Sequence, residues 1–533
     1  MPVTAASATV EISTEQLTLS EIVTVARQGR QVRLAEGEEF RARLARGPAA
    51  IERALERGEV IYGVNTGFGA NARFIIPNSE LEHHQENLLD FLHCGAGDPL
   101  PEDVVRAAIL LRANALARGY SGVRAVVIER LLDLLNHSIT PLVPRYGSVG
   151  ASGDLCPSAY VAGVLVGRGR VWHRGVETTA VAAMEAERIP PLRLRPKEGL
   201  ALLNGTTTMT ALAALVVFEA DYLLRAGLAA VALAAEALRS SPDYYHPLIH
   251  MVKHHPGQLR AAEMLHSMLL GSRLAVPLDE IRERVAHQAA PGQVARAGET
   301  IQSPYSLRCA PQGLGPMLET LEQARLTIER EANSVNDNPL IDPDQERVFH
   351  TGNFYGGHIA RTMDGLKLDL ANLANWTHSL MALLMDERFS AGLPPSLSPH
   401  PGLYQGFKGM QIVHTSLVTA LRQMSGASLI HTLPTEQFNQ DVVSLGAHAA
   451  LSAHDMLRLL RDALAITLLS AAQGVELRAG SEAEAAPMLG AGTRPLYQAL
   501  RALSPFLDAD RRLETDLQQV SAALREQRLP LLQ

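Results

Sequence analysis

The stretch from Gly199 to Ser240, GLALLNGTTTMTALAALVVFEADYLLRAGLAAVALAAEALRS, repeats apolar residues at three- and four-residue spacing along its length. That period belongs to a helix. Apolar residues cover much of its circumference, so the helix is expected to be buried rather than laid on a surface. Similar runs follow at 313–334, 357–386, 407–430 and 446–474, separated by short loops. They predict a mainly α protein, an elongated bundle of long helices. Runs of this length are too long for a bundle exposed on all sides, which points to burial in a homo-oligomer. Upstream, 103–117 (Val104, Ala108, Leu111, Ala115) and 124–136 show the same spacing and predict two further helices flanking Gly119 to Gly122.

Composition bounds the rest. No Pro/Gly/Ser-rich linker or charge run marks a clean boundary within the 533 residues. We divide the chain into a smaller N-terminal domain (1–198), a central long-helix bundle (199–483) and a C-terminal helical segment (484–533). Residues 1–35 read as a loosely ordered tail. The interval 271–304, with Gly271, Pro277, Pro291, Gly292, Gly298 and Pro304, reads as a mobile lid. Hydrophobic residues at 47% fill a large core, and aromatics at only 5% favour packed helices over a sheet. A net charge of −8 without a basic face argues against nucleic acid and anionic membranes as partners, leaving a small soluble ligand. Three scattered cysteines, Cys94, Cys156 and Cys309, form no disulfide or zinc framework and predict a reduced, cytoplasmic compartment. No run is long and apolar enough for a membrane span, and residues 1–30 lack a secretory signal.

Gly147-Ser-Val-Gly-Ala-Ser-Gly-Asp-Leu155 follows Pro141 and Pro144, which are expected to end the preceding helix and deliver irregular backbone. A phosphate loop needs Gly-Lys-Ser/Thr, but Gly153 is followed by Asp154 and Leu155, and an acidic side chain repels phosphate. A nucleophile elbow needs Gly-x-Ser-x-Gly, and Asp154 stands where the second glycine belongs. An ordinary surface turn is the plain alternative. The chemical one is cyclisation: the Gly153 nitrogen reaches the Ala151 carbonyl carbon and Ser152 loses water to leave a methylidene carbon. Ala151, Ser152 and Gly153 put the least bulk in the way.

The chain resembles the aromatic amino acid ammonia-lyase and aminomutase family, whose members carry a 4-methylideneimidazol-5-one (MIO) group. The resemblance spans nearly the whole sequence. It is carried by Tyr62-Gly-Val-Asn-Thr-Gly-Phe-Gly69, by Gly147–Leu155, by Lys197-Glu-Gly-Leu-Ala-Leu-Leu-Asn-Gly-Thr206 and by Gln302-Ser-Pro-Tyr-Ser-Leu-Arg-Cys309. Asn333-Ser-Val-Asn-Asp-Asn-Pro339, His350-Thr-Gly-Asn-Phe-Tyr-Gly356 and Glu436-Gln-Phe-Asn-Gln-Asp441 complete it in the family's order. It implies that Ala151-Ser152-Gly153 forms MIO, with no metal and no external cofactor, in the N-terminal domain of a homotetramer whose active sites combine residues from three subunits. The absence of a large insertion over the lid resembles compact bacterial members.

The resemblance also implies roles. Eliminating ammonia from phenylalanine requires removal of a feebly acidic proton beside the ring, so an electrophile must first activate the amine; attack by the aromatic ring is the other course considered for the family. Tyr62 matches the base, and a phenol, with a solution pKa of about 10, needs a perturbing environment to act as phenolate near neutrality. Arg308 matches the substrate-carboxylate clamp, and Gln302 and Tyr305 share its segment. Asn204, Asn353 and Phe354 match positions around the cofactor and substrate, where amides stabilise developing negative charge. Glu436 matches a carboxylate near the substrate amine.

Gln440 stands where histidine-using members tend to have Glu, and Phe91-Leu92 resembles the Phe-Leu pair of phenylalanine ammonia-lyases. An apolar pair leaves a para-hydroxyl without a partner, at a cost on the order of 1–3 kcal/mol. The expected reaction is L-phenylalanine to trans-cinnamate, with a phenylalanine 2,3-aminomutase as the alternative. Two readings of other classes compete. His246, His250, His254 and His255 at four-residue steps suggest a metal site, although Pro247 and Pro256 interrupt a regular helix there. A non-catalytic helical scaffold is the other.

Overall fold

The computed structural model describes residues 9–286, 292, 294 and 296–532. At its centre runs the helix Thr207–Ala237, buried along nearly its whole length. Its Ala and Leu lose little side-chain freedom on entering a helix, and its apolar circumference is covered on all sides. The helix Gly446–Ala479 lies along it, and Gly357–Met385, Ala310–Ala332 and Glu102–Ala117 pack around the pair. Glycines set the closest approaches. A Cβ on Gly227 would fall 2.5 Å from Leu373 Cδ1, and one on Gly315 would fall 2.5 Å from the Gln258 Cα of the crossing helix Pro256–Leu269. One apolar core joins residues from Val10 to Leu529. The expected mainly α bundle of long helices is the fold observed.

Several boundaries differ from the sequence expectation. The run at 199–240 is two helices, Glu198–Leu203 and Thr207–Ala237. The chain breaks because Gly205 sits at φ +136°, and a Cβ there would lie 2.3 Å from Asn336 Oδ1. The run at 407–430 is helical only over Lys408–Met424, followed by a 3₁₀ turn at Leu429–His431. The run at 446–474 continues to Ala479, where Gly480 at φ +102° ends it.

The expected loose tail is structured from Val10 onward. Val10–Ile12 pairs in parallel with Val32–Leu34, and the helix between them, Leu19–Gln28, opens on a reciprocal Thr18/Glu21 cap and buries Ile22, Val23 and Val25. Three-residue strands carry too little pattern to be read from sequence, but two in register cover one another. Pro141 and Pro144 do not end a helix; Ala125–Asn136 has already stopped. They lie in strands. Ile139–Pro141 is the edge of a three-stranded sheet, and Pro144–Tyr146 pairs with Ala96–Pro99. Proline is tolerated at such edge and first positions. Gly147 therefore leaves from an anchored strand beside residues 91–95. In the expected lid, residues 274–276 are buried, Val276 N donates to Ser240 O, and Leu278–Ala286 is helical. Residues 287–291, 293 and 295 of that interval lie outside the described residues.

Candidate active site

The tripeptide Ala151-Ser152-Gly153 is held from three sides. Asn204 Nδ2 donates to the Ser152 carbonyl oxygen at 3.0 Å, and Gln440 Nε2 donates to the Ser152 hydroxyl at 3.1 Å. Just upstream, Ser444 Oγ donates to Gly150 O at 2.7 Å. Gly153 has φ +76°, and a Cβ there would lie 2.0 Å from Gly205 O, so only glycine fits. Gly205 O accepts from Asp154 N at 2.7 Å, locking the corner 204–206 to the tripeptide. Asn204 Oδ1 is buried with no hydrogen-bond partner among the described residues, an acceptor left open beside Ser152. These features fit cyclisation: minimal bulk at Gly153, an amide on the Ser152 hydroxyl that must leave and another on the Ser152 carbonyl oxygen that the ring would keep.

Asp154 closes the loop. Its buried carboxylate accepts from Met209 N at 2.8 Å, in the first turn of the central helix, and from Ser148 Oγ at 2.7 Å. Burial pushes its pKa up to about 6, against the pull of those hydrogen bonds and of Arg112.

Tyr62 lies on a loop turned by Gly63 at φ +65°. Its hydroxyl accepts from Gly69 N at 2.8 Å, and its backbone N donates to His350 Nε2 at 3.2 Å. Burial raises the phenol above its ordinary value, the Gly69 hydrogen bond opposes this, and Glu436 adds to the rise. The environment of one chain thus moves Tyr62 away from the phenolate that the sequence reading requires, chiefly because the phenol is buried, with the Glu436 carboxylate adding to the rise. Glu436 packs its carboxylate against Gly69, where a Cβ would meet it at 2.6 Å. Glu436, Gln437 and Phe438 have φ of +51°, +53° and +65°, a left-handed turn that costs roughly 1–2 kcal/mol per residue. Paired hydrogen bonds between Thr435 and Gln440 hold it. The strained turn is what lets Glu436 face Tyr62 while Gln440 reaches Ser152.

Phe91 ends the helix Leu81–Phe91, with its exposed ring 6.4 Å from Phe68 on the Tyr62 loop. Leu92 is buried in the main core. Asn353 Nδ2 donates to Val335 O at 3.2 Å, Phe354 is half-buried, and Gly356 N donates to Gly150 O at 3.4 Å, which brings this loop to the tripeptide.

Gln302, Tyr305 and Arg308 are elsewhere. Tyr305–Arg308 is a single helical turn in which the Arg308 guanidinium lies 4.5 Å over the Tyr305 ring, itself 69% exposed. Ser303 beside them contacts Ser240 Oγ at 2.9 Å, just beyond the C-terminal end of Thr207–Ala237, whereas Asn204 precedes its N-terminal end. At 1.5 Å per residue that helix separates the two groups by about 45 Å. The histidine segment makes no metal centre either. His250 is buried with Nε2 against Tyr244 O and Nδ1 against Gln258, and no group of three or more His, Cys, Asp or Glu among the described residues is placed to hold a metal ion.

Residues 17–502 match the family model described as aromatic amino acid lyase. The chain belongs to the aromatic amino acid lyase family. It is 42% identical to histidine ammonia-lyase of Geobacillus thermodenitrificans, with 90% of each chain covered, and 37% identical to phenylalanine ammonia-lyase of Nostoc punctiforme, covering 96% of this chain and 92% of that one. Among solved structures, the phenylalanine aminomutase of Pantoea agglomerans superposes with a TM-score of 0.92 at 33% identity, covering 96% of this chain and 98% of that one. Family membership makes this an enzyme of the ammonia-lyase and aminomutase type.

In this family member, several buried polar residues beneath the site escaped the sequence reading. Gln85 donates to Gly63 O and accepts from Leu200 N, tying the Tyr62 loop to the Glu198–Leu203 helix. Lys197 Nζ and Asp337 form a wholly buried pair at 2.6 Å. Arg112 reaches Asn204 O. Arg112 did carry a signal, a charged residue on an otherwise apolar helix; the partners of Gln85 and Lys197 are set by tertiary contact alone.

Proposed function

We propose that this enzyme eliminates ammonia from L-phenylalanine to give trans-cinnamate, in a homotetramer whose active sites are shared between copies. The observation that carries the reading is Ser152 held between the Asn204 and Gln440 amides beside a glycine with no room for a side chain. Once formed from Ala151-Ser152-Gly153, the MIO group supplies an electrophilic methylidene carbon that makes the substrate amine a better leaving group. Tyr62 removes the proton beside the ring, with Glu436 near the amine. Asn204 holds the oxygen of the former Ser152 carbonyl, a donor placed where negative charge develops.

Arg308, Tyr305 and Gln302 come from another copy, since their own chain keeps them far from Ser152; Arg308 clamps the carboxylate bidentately. Exposed Ile412, Leu368, Ile430, Leu433 and Phe438 support burial of the bundle against further copies. A cation brought in this way also opposes the rise of the Tyr62 pKa. The substrate assignment rests on Gln440 and on the apolar pair Phe91 and Leu92. An amide in place of a carboxylate offers an imidazole N–H no charged acceptor, and Phe91 with Phe68 favours a benzene ring.

The likeness to a phenylalanine aminomutase supports a second reading, in which cinnamate is retained and ammonia returns at the β-carbon. Incubation with L-phenylalanine and, separately, L-histidine decides. Cinnamate without β-phenylalanine supports the lyase, β-phenylalanine supports the mutase, and urocanate from histidine without turnover of phenylalanine overturns the substrate assignment.

A further inference from the structure

We infer that Arg112 is a positioning residue for formation of the electrophile: it holds the corner Asn204–Gly205 against which Ala151-Ser152-Gly153 closes. The inference rests on the cyclisation reading above. Arg112 is buried inside the apolar helix Glu102–Ala117. One end of its fork, Nη1, donates to Asn204 O at 2.8 Å and Ala201 O at 3.2 Å; the other, Nη2, reaches Thr207 Oγ1 at 3.4 Å. It therefore bridges the last carbonyls of Glu198–Leu203 and the first residue of Thr207–Ala237 across the break between them. A cation suits the carbonyl end of the first helix. The planar fork spans both sides of the break, which a lysine ammonium does not.

The corner so held is the one the tripeptide needs. Gly205 O accepts from Asp154 N at 2.7 Å, Gly205 N donates to Ser152 O at 3.4 Å, and Asn204 Nδ2 donates to the same oxygen. A Cβ on Gly205 would lie 2.6 Å from Arg112 Nη2, so the guanidinium and the corner are in contact. Asp154 and Asp337 offset the Arg112 charge, and its pKa of about 10 keeps it a cation at neutral pH despite burial. In the step that Arg112 positions, Gly153 N bonds to the Ala151 carbonyl carbon. The Gly153 N–H proton passes to the Ala151 carbonyl oxygen, which then leaves as water with the Ser152 N–H proton as the C=N bond forms. The Ser152 hydroxyl leaves with the Cα proton as a second water, and no oxidant is consumed.

Full-length chain made by cell-free synthesis and sampled by intact-mass spectrometry tests this. Wild type is expected to lose about 36 Da with time, while Ser152→Ala stays at its encoded mass. Arg112→Lys, checked for folding by helical circular dichroism, is expected to lose the same mass at least about tenfold more slowly. A folded Arg112→Lys chain that matures at the wild-type rate overturns the role of Arg112 and leaves cyclisation standing. If Arg112→Lys does not fold, Thr207→Val, which removes one acceptor of the fork, is read instead: slower mass loss supports the role and an unchanged rate overturns it. A wild-type chain that keeps its encoded mass overturns the cyclisation reading itself, and the role of Arg112 with it.

Discussion

Asn204 donates its side-chain amide to the carbonyl oxygen of Ser152 at 3.0 Å, while its own carbonyl accepts from Arg112 at 2.8 Å. One residue thus joins the buried charge of the core to the tripeptide proposed to form the electrophile. Asn204→Ala is expected to lower kcat by on the order of 100-fold, the usual effect of removing one donor to a developing oxyanion. Steady-state kinetics on protein of confirmed mass would check it, and an unchanged kcat would remove Asn204 from the site.

The proposed role of Tyr62 as base predicts an alkaline dependence. Its pKa is raised by burial, and Glu436 pushes it further in the same direction, so the phenolate fraction grows as pH rises. Activity is expected to climb on the alkaline side of neutrality. Glu436→Gln removes a negative charge and should move that limb to lower pH, whatever it does to substrate binding. A kcat/KM profile whose limb stays in place argues against Tyr62 as the titrating base.

Ser152 and Arg308 belong to groups separated by the length of the central helix. Chains carrying Ser152→Ala and chains carrying Arg308→Ala are each expected to be inactive alone. Co-expressed, they should recover at least about a tenth of wild-type activity, through sites that draw an intact residue from each copy. Mixed oligomers that stay inactive would place both residues in one chain's own site.

The pair Lys197 and Asp337 is buried beside the Glu198–Leu203 helix at 2.6 Å, with Ser121 Oγ also donating to Asp337 at 3.1 Å. Lys197→Met leaves an unpaired buried carboxylate and is expected to cost about 3–5 kcal/mol. Lys197→Met with Asp337→Leu should recover most of it. Denaturant titration measures both, and a double variant no more stable than the single one contradicts the pairing.

Glu236, buried in the central helix, accepts from Gly490 N at 2.8 Å, and burial raises its pKa from 4.5 to about 7. A raised acid binds its proton more tightly in the folded than in the unfolded chain, so its contribution is full below about pH 4.5 and is lost as pH rises through about 7. Glu236→Gln keeps a neutral acceptor. Its stability relative to wild type should therefore increase between pH 5 and 8, by up to about 3 kcal/mol. A pH-independent difference in Tm would show that Glu236 does not titrate there.

The helical class was legible because apolar period and Ala/Leu content act locally: residues 199–240 could be nothing but buried helix, apart from the break at Asn204–Thr206. Asn204-Gly205 is a pair typical of turns, but the apolar period on either side of it outweighed that signal. That a side chain at 205 would strike Asn336 and Arg112, from distant parts of the chain, is a constraint no local pattern shows. The segment 436–438 was equally opaque, since three left-handed non-glycine residues defy local preference and are held by the Thr435–Gln440 pairing.

By itself the sequence determined the helical bundle and the family, because periodicity and motif spacing survive without coordinates. Only the tertiary structure decided which of the candidate site residues meet. Asn204, Gln440, Glu436 and Tyr62 converge because the corner 204–206 and the strained turn at 436–438 fold back on the tripeptide. Gln302, Tyr305 and Arg308 do not, because a rigid 31-residue helix stands between them and Ser152. Hydrogen bonds and buried charge act over a few ångströms, so which residues share a site depends on how the helices pack and not on their order in the chain.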